Sequence, residues 1–319
     1  MEILRQYADP SGLVRAMAVT DEGHRRLISR EVARGRLVRV ARGAYLPSHV
    51  WASLDEDARY RAIVHAAATG RLASDELICH RSAAALWRLP SFEPWPATVH
   101  TVRPARGQGR RNGIVVRHVS AQPDPGAEVD GLPVTSLART VTDVASTESL
   151  ANGLIAVDAA LRGQREASWA RPPLARELLV ETAQARALNA GRTRALRVVS
   201  MGDPRSASAG ESLLRATLHL LGIPPAEPQV RFVGDSGRVY YVDLYWPDQD
   251  FVLEFDGKGK YTDPLYMAGR SASEVVYEEK RREDEIRAQV RGMTRVDWGV
   301  AASPTRLERR LRAAGFVFP

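Results

Sequence analysis

The segment Val239-Tyr-Tyr-Val-Asp-Leu-Tyr-Trp-Pro-Asp-Gln-Asp-Phe-Val-Leu-Glu-Phe-Asp256 decides how the C-terminal third folds. Two apolar and aromatic runs flank Pro247-Asp-Gln-Asp250, a turn composition, so the segment reads as an antiparallel hairpin. A turn centred between Asp248 and Gln249 makes partner positions sum to 497, which sets Asp243 opposite Glu254. Directly opposed residues share a sheet face, with Cβ atoms roughly 4.5–5.5 Å apart. Asp256 falls on the same face, two residues beyond Glu254. Val242, Leu244, Leu253 and Phe255 alternate to the other face and supply a core. Two carboxylates about 5 Å apart repel by roughly 3 kcal/mol at an effective dielectric of about 20. A shared proton, a basic neighbour or a divalent cation offsets that cost. An all-oxygen set suits Mg²⁺ or Mn²⁺. Lys258 and Lys260 follow within a few residues, where an ammonium would serve a water or a phosphate. Glu211, near the start of the preceding helix, adds a carboxylate. The competing reading is a salt-bridged sheet edge in which the two lysines neutralise the acids.

Working outward, a helix is expected over about 210–221, strands at 229–233, 238–246 and 251–256, a charged helix over 273–291, a strand near 293–298 and a helix near 304–314. Glu211, Asp243 and Glu254-Phe-Asp256-Gly-Lys258-Gly-Lys260-Tyr261 in this αβββαβ order resemble the PD-(D/E)XK nuclease superfamily, most closely its branch related to very-short-patch repair endonucleases. Glu279-Lys280-Arg281-Arg282-Glu283-Asp284 is similar to the charged helix of that branch. The resemblance implies a restriction-endonuclease-like domain that hydrolyses DNA phosphodiester bonds. Asp243 and Glu254 would hold the metal, Glu211 and Asp256 would assist, and Lys258 or Lys260 would serve the phosphate. The chain departs from the pattern where Asp256 stands in place of the usual lysine.

The N-terminal third carries the basic excess. Residues 1–120 hold 19 arginines against 11 acids, a net of +8, whereas the whole 319-residue chain is at +7. Such a local excess is the footprint of a polyanion binder, or else a merely solvated face. The only lysines, Lys258, Lys260 and Lys280, all lie in the C-terminal segment. A helix starting at Asp21 or Glu22 and stopping at Gly35 precedes two short strands around Arg42-Gly43, the order of a winged helix-turn-helix. Arg25, Arg26, Arg30 and Arg34 on the helix and Arg36, Arg39 and Arg42 on the wing would contact double-stranded DNA. A protein-binding helix–hairpin module is the alternative. The stretches Gly35-Arg-Leu-Val-Arg-Val-Ala-Arg-Gly-Ala-Tyr45, His80-Arg-Ser-Ala-Ala-Ala-Leu86 and Gly131-Leu-Pro-Val-Thr-Ser-Leu-Ala-Arg139-Thr-Val-Thr-Asp143 are similar to AbiEi-type antitoxin proteins. That resemblance implies a DNA-binding transcriptional autoregulator with a cognate toxin or operon partner.

The expected architecture is therefore α+β in three segments: a winged helix over 1–50, a mixed α/β middle domain over 51–205 and the nuclease-like domain over 206–319. In the middle segment, helices are expected over Asp55 to Gly70, near Arg81 to Trp87 and from Thr135 or Ser136. Strands at 98–102 and 114–119 flank a basic hairpin tip over 103–113. The stretches 163–176 and 200–210 read as linkers. No apolar run approaches the roughly 18 residues of a membrane span, and no secretory leader is visible at Met1 to Pro10, so a cytoplasmic location is expected. One cysteine, Cys79, excludes an internal disulfide. The seven histidines show no metal-ligand spacing and read as isolated residues, and the adjacent Cys79 and His80 make a poor nucleophilic dyad.

Overall fold

The protein is described by a computed structural model covering residues 2–104, 109–122, 124–166, 169–187, 190–257 and 272–319. The architecture is α+β, and the chain divides into two compact units, Met1–Thr147 with Glu177–Leu196, and Glu148–Arg176 with Arg197–Pro319. This division differs from the three segments expected. Residues 1–50 belong to one unit with the strands and helices that follow, and 148–176 belong with the C-terminal third.

In the first unit, the Glu22–Ala33 helix is capped by Asp21, whose carboxylate accepts the His24 N–H at 2.8 Å. Ile28 and Glu31 are its buried positions, and Gly35 takes φ +68° just past its end. Strands Leu37–Ala41 and Ala44–Pro47 pair around Arg42-Gly43, with Gly43 at φ +71°. A core of Leu4, Val14, Val19, Ile28 and Leu37 joins these elements. The helix Glu56–Ala68 is capped by Asp55 and lies in a second core with the helix His80–Leu86 and a six-stranded sheet. In that sheet, Val99–Pro104 pairs in parallel with Val115–Ser120, Val102 opposite His118. The hairpin expected over 103–113 is therefore corrected. The strand Arg110–Asn112 lies on the far side of Val115–Ser120 from Val99–Pro104, so the chain passes beyond Val115–Ser120 before turning back into it. The tight turn lies instead at Gly113, φ +59°, between the antiparallel strands Arg110–Asn112 and Val115–Ser120. Residues 105–108 of the expected tip lie outside the described residues.

In the second unit, the described elements from 209 to 296 run α, β, β, β, α, β. Helix Ala209–Leu220 precedes a sheet of Glu227–Val233, Val239–Trp246, Phe251–Phe255 and Gly292–Val296, the last strand parallel to the third after the helix Ala272–Arg287. The expected hairpin register is the one observed: Leu244 faces Leu253, Tyr245 faces Val252 and Trp246 faces Phe251. Helix Leu150–Arg162, almost wholly buried, packs against Ala209–Leu220. The stretch 163–176 is no linker: Gln164–Glu166 pairs with Trp169–Arg171, and buried Arg171 donates to Ala159 O at 3.0 Å.

Candidate functional site

The acidic residues of the C-terminal sheet each carry a structural bond. Glu211 sits three residues after Ser208, the N-cap of its helix. The Ser208 hydroxyl accepts the Glu211 N–H at 3.2 Å and donates to Glu211 Oε1 at 2.8 Å, while Glu211 Oε2 accepts the Ala207 N–H at 2.8 Å, a capping-box arrangement. Asp243 Oδ2 accepts the Phe255 N–H at 2.8 Å. The Gln229 amide donates to Glu211 Oε2 at 3.1 Å and to Asp243 Oδ1 at 3.4 Å. Gln229 holds φ +56° within its strand, a left-handed conformation that costs a non-glycine residue about 1–3 kcal/mol. Glu254, 4% exposed, lies between two guanidinium groups. Arg282 donates to Oε1 at 2.5 Å and Oε2 at 3.0 Å, and Arg295 Nε donates to Oε2 at 2.8 Å.

This geometry tests the fit of a hard divalent cation. Both oxygens of Glu254 are taken by arginines, and Glu211, Asp243, Glu254 and Asp256 supply no three carboxylates whose oxygens all lie within 4.8 Å of one another. The residues as arranged do not fit Mg²⁺ or Mn²⁺. The compensation expected from Lys258 and Lys260, which lie outside the described residues, comes at Glu254 from Arg282 and Arg295. Asp256 is half-buried, with its N–H donating to Val296 O at 2.8 Å.

In the first unit, all seven candidate DNA-contacting arginines are exposed, but they are not equivalent. Arg36 forks onto buried Glu31 at 2.5 and 2.6 Å, and Arg34 lies 3.8 Å from the same carboxylate. Hydrogen bonding to Arg36 holds the Glu31 carboxyl below the usual carboxylate range. Arg25 donates to Val19 O at 2.8 Å. These three therefore also make bonds within the module itself. Arg26 makes only an exposed pair with Glu22, and Arg30, Arg39 and Arg42 have no acidic partner among the described residues. A cleft of about 640 Å³ between the Arg42 turn and the Gly113 turn is lined by Arg42, Arg71 and Arg117.

The expectation of isolated histidines is overturned in this unit. His100 and His118, brought side by side by the parallel strand pair, stack with centroids 5.1 Å apart, and His100 Nδ1 lies 2.9 Å from His118 Nε2. His80 stacks on His118 at 4.4 Å, and its Nδ1 is 3.0 Å from the Sγ of fully buried Cys79. His80 takes φ +52°. Its Nδ1 is 4.0 Å from Oδ2 of buried Asp143, whose Oδ1 accepts from Arg139 at 2.9 Å and also from Arg186. Burial lowers the pKa of His80 and of His100 to about 4, the neighbouring His118 cation further disfavouring protonated His100. Burial lowers that of His118 as well and pushes the Cys79 thiol well up. The rings are therefore neutral near pH 7. The ring positions, 80, 100 and 118, have no local spacing; the signal that leads to them is the pair of strands carrying His100 and His118.

Among the described residues, no helix is long and apolar enough to cross a membrane. No protein-family model matches the chain, and no curated protein matches it. Among solved structures, the chain is similar to the RV2827C protein from Mycobacterium tuberculosis at 14% identity, with a TM-score of 0.32, over 65% of this chain and 72% of that one.

Proposed function

We propose that this protein is a double-stranded DNA-binding regulator that docks the Glu22–Ala33 helix and the adjoining hairpin as a winged helix-turn-helix does, and that its nuclease-like C-terminal unit does not cleave. The observation that carries the reading is the set Arg26, Arg30, Arg39 and Arg42: exposed cations without a buried acidic partner among the described residues, on the elements that would meet the duplex. The net charge of +8 in residues 1–120 supports it. The two-arginine hold on Glu254 supports a non-cleaving C-terminal unit. The similarity of three N-terminal segments to AbiEi-type antitoxins makes the operator of its own operon the DNA to try first and a cognate toxin the partner to seek. One observation favours cleavage instead: the observed hairpin register, continued by one pair, sets Asp243 opposite Glu254.

Fluorescence anisotropy and a nicking assay on the same labelled duplex, with and without Mg²⁺, test the reading. Binding should weaken with salt at a slope of about −0.9 per phosphate neutralised, and Arg30→Ala with Arg39→Ala and Arg42→Ala should flatten that slope. Undiminished binding in the triple variant would overturn the docking surface. Mg²⁺-dependent cleavage lost in Asp243→Ala would overturn the non-cleaving assignment.

A further inference from the structure

We propose that Cys79, His80 and His118 bind one transition-metal ion of the zinc class in the N-terminal unit, a structural site independent of any DNA contact. Among the described residues this is the group of three ligating side chains whose donor atoms all lie within 4.8 Å of one another. A tetrahedral zinc ion with Zn–S about 2.3 Å and Zn–N about 2.0–2.1 Å places its donor atoms roughly 3.3–3.6 Å apart. The Cys79 Sγ to His80 Nδ1 distance is 3.0 Å and all three donors lie within 4.8 Å of one another, so shifts of at most about 1.5 Å bring them to that spacing. One sulfur and two imidazole nitrogens form a soft set that selects Zn²⁺ or Co²⁺ over Mg²⁺.

Two further observations point to an ion. Asp143 is 1% exposed, and its Oδ2 accepts no hydrogen bond among the described residues, although Oδ1 is held by two arginines. A buried carboxylate oxygen left in that state demands a partner. It lies 4.0 Å from the same His80 Nδ1, beside the three-donor set, where a cation would give it an electrostatic partner. Behind His118 stands an outer layer: His100 Nδ1 lies 2.9 Å from His118 Nε2, and His100 Nε2 lies 3.0 Å from the Thr98 hydroxyl. Such a chain fixes the orientation and tautomer of a ligating ring. The φ of +52° at His80 is strain that a bond to an ion would offset. Cys79 is fully buried, and His80 and His118 are half-buried beside it. Binding forms a metal–sulfur bond and releases the Cys79 thiol proton to solvent, while the imidazoles bind through ring lone pairs.

The test is a Co²⁺ titration of the chelator-treated full-length chain. One equivalent should produce a thiolate-to-cobalt charge-transfer band with the strong visible bands of tetrahedral Co²⁺, and one equivalent of Zn²⁺ should abolish both. Cys79 is the single cysteine of the chain, so the band assigns the ligand without a variant. The band should vanish in urea, which separates a folded site from a bare thiol. Asp143→Asn should weaken binding about 10–100-fold, and folded His118→Ala should lose the tetrahedral spectrum. No band at stoichiometric Co²⁺, a band that survives urea, or an unchanged affinity in folded His118→Ala would each overturn the site. If His118→Ala fails to fold, the wild-type titration alone decides.

Discussion

Replacing Glu254 with glutamine separates two accounts of the C-terminal sheet. If Glu254 belongs to a set of repelling carboxylates awaiting a cation, neutralising it relieves repulsion and stabilises the metal-free chain. If it anchors Arg282 and Arg295, neutralising it removes the charge that holds both. The structure allows a magnitude. Breaking a buried ion pair costs about 3–5 kcal/mol. The Arg282 and Arg295 side chains are 26% and 23% exposed, so water recovers part of their solvation and the lower end applies. Glutamine keeps one oxygen able to accept a guanidinium bond, which returns about 1 kcal/mol. The expected net loss is about 2 kcal/mol, a factor of roughly 30 in the local opening constant. Hydrogen exchange by mass spectrometry on the chelator-treated full chain reads this directly. Amides of Val239–Trp246 and Phe251–Phe255 should exchange about 30-fold faster in Glu254→Gln. Exchange that is unchanged or slowed would refute the arginine anchor and restore the carboxylate-cluster account.

Phe251 is 2% exposed and meets Trp246 and Phe316 edge-on at 6.3 and 5.1 Å, so Phe251→Ala should cost about 3–5 kcal/mol, seen as a lower urea midpoint for the C-terminal unit. A Cβ at Gly210 would stand 2.0 Å from the Phe255 ring; Gly210→Ala should destabilise by about 1–3 kcal/mol, and an unchanged melting temperature would disprove the close approach. Arg36 holds the Glu31 carboxyl below its ordinary value, so the pair's stabilisation is complete at neutral pH and is lost as pH falls through that lowered value. Acid unfolding of Glu31→Gln, followed by circular dichroism, should lack that component at low pH and show its deficit at neutral pH.

The hairpin was legible because its information is local. Alternation of Val242, Leu244, Leu253 and Phe255 with polar neighbours, plus a four-residue turn, determines the pairing before any tertiary contact exists. The arginines on Glu254 were not legible: Arg282 and Arg295 stand 28 and 41 residues away, on a helix and a neighbouring strand whose docking no local pattern specifies. The histidine cluster escaped for a related reason. Strands near 99–102 and 114–119 were readable, but their parallel pairing, which aligns Val102 with His118, contradicts the hairpin that a Gly-rich connection suggests. Among the N-terminal arginines, composition gave the charge but not the buried Glu31 that claims Arg36.

The interleaving of the two units has a consequence for synthesis. The chain passes from one unit to the other after Thr147, returns after Arg176 and leaves again after Leu196. Until Arg186 has been synthesised, the first unit lacks the guanidinium that joins Arg139 on Asp143. Meanwhile the apolar Leu150–Arg162 helix has already emerged and must wait for the Ala209–Leu220 helix that covers it. Nascent chains therefore carry an unshielded greasy surface over that interval, a natural target for chaperones. Truncation at residue 50 would split the first unit, and truncation at 205 would part the Leu150–Arg162 helix from the Ala209–Leu220 helix it packs against.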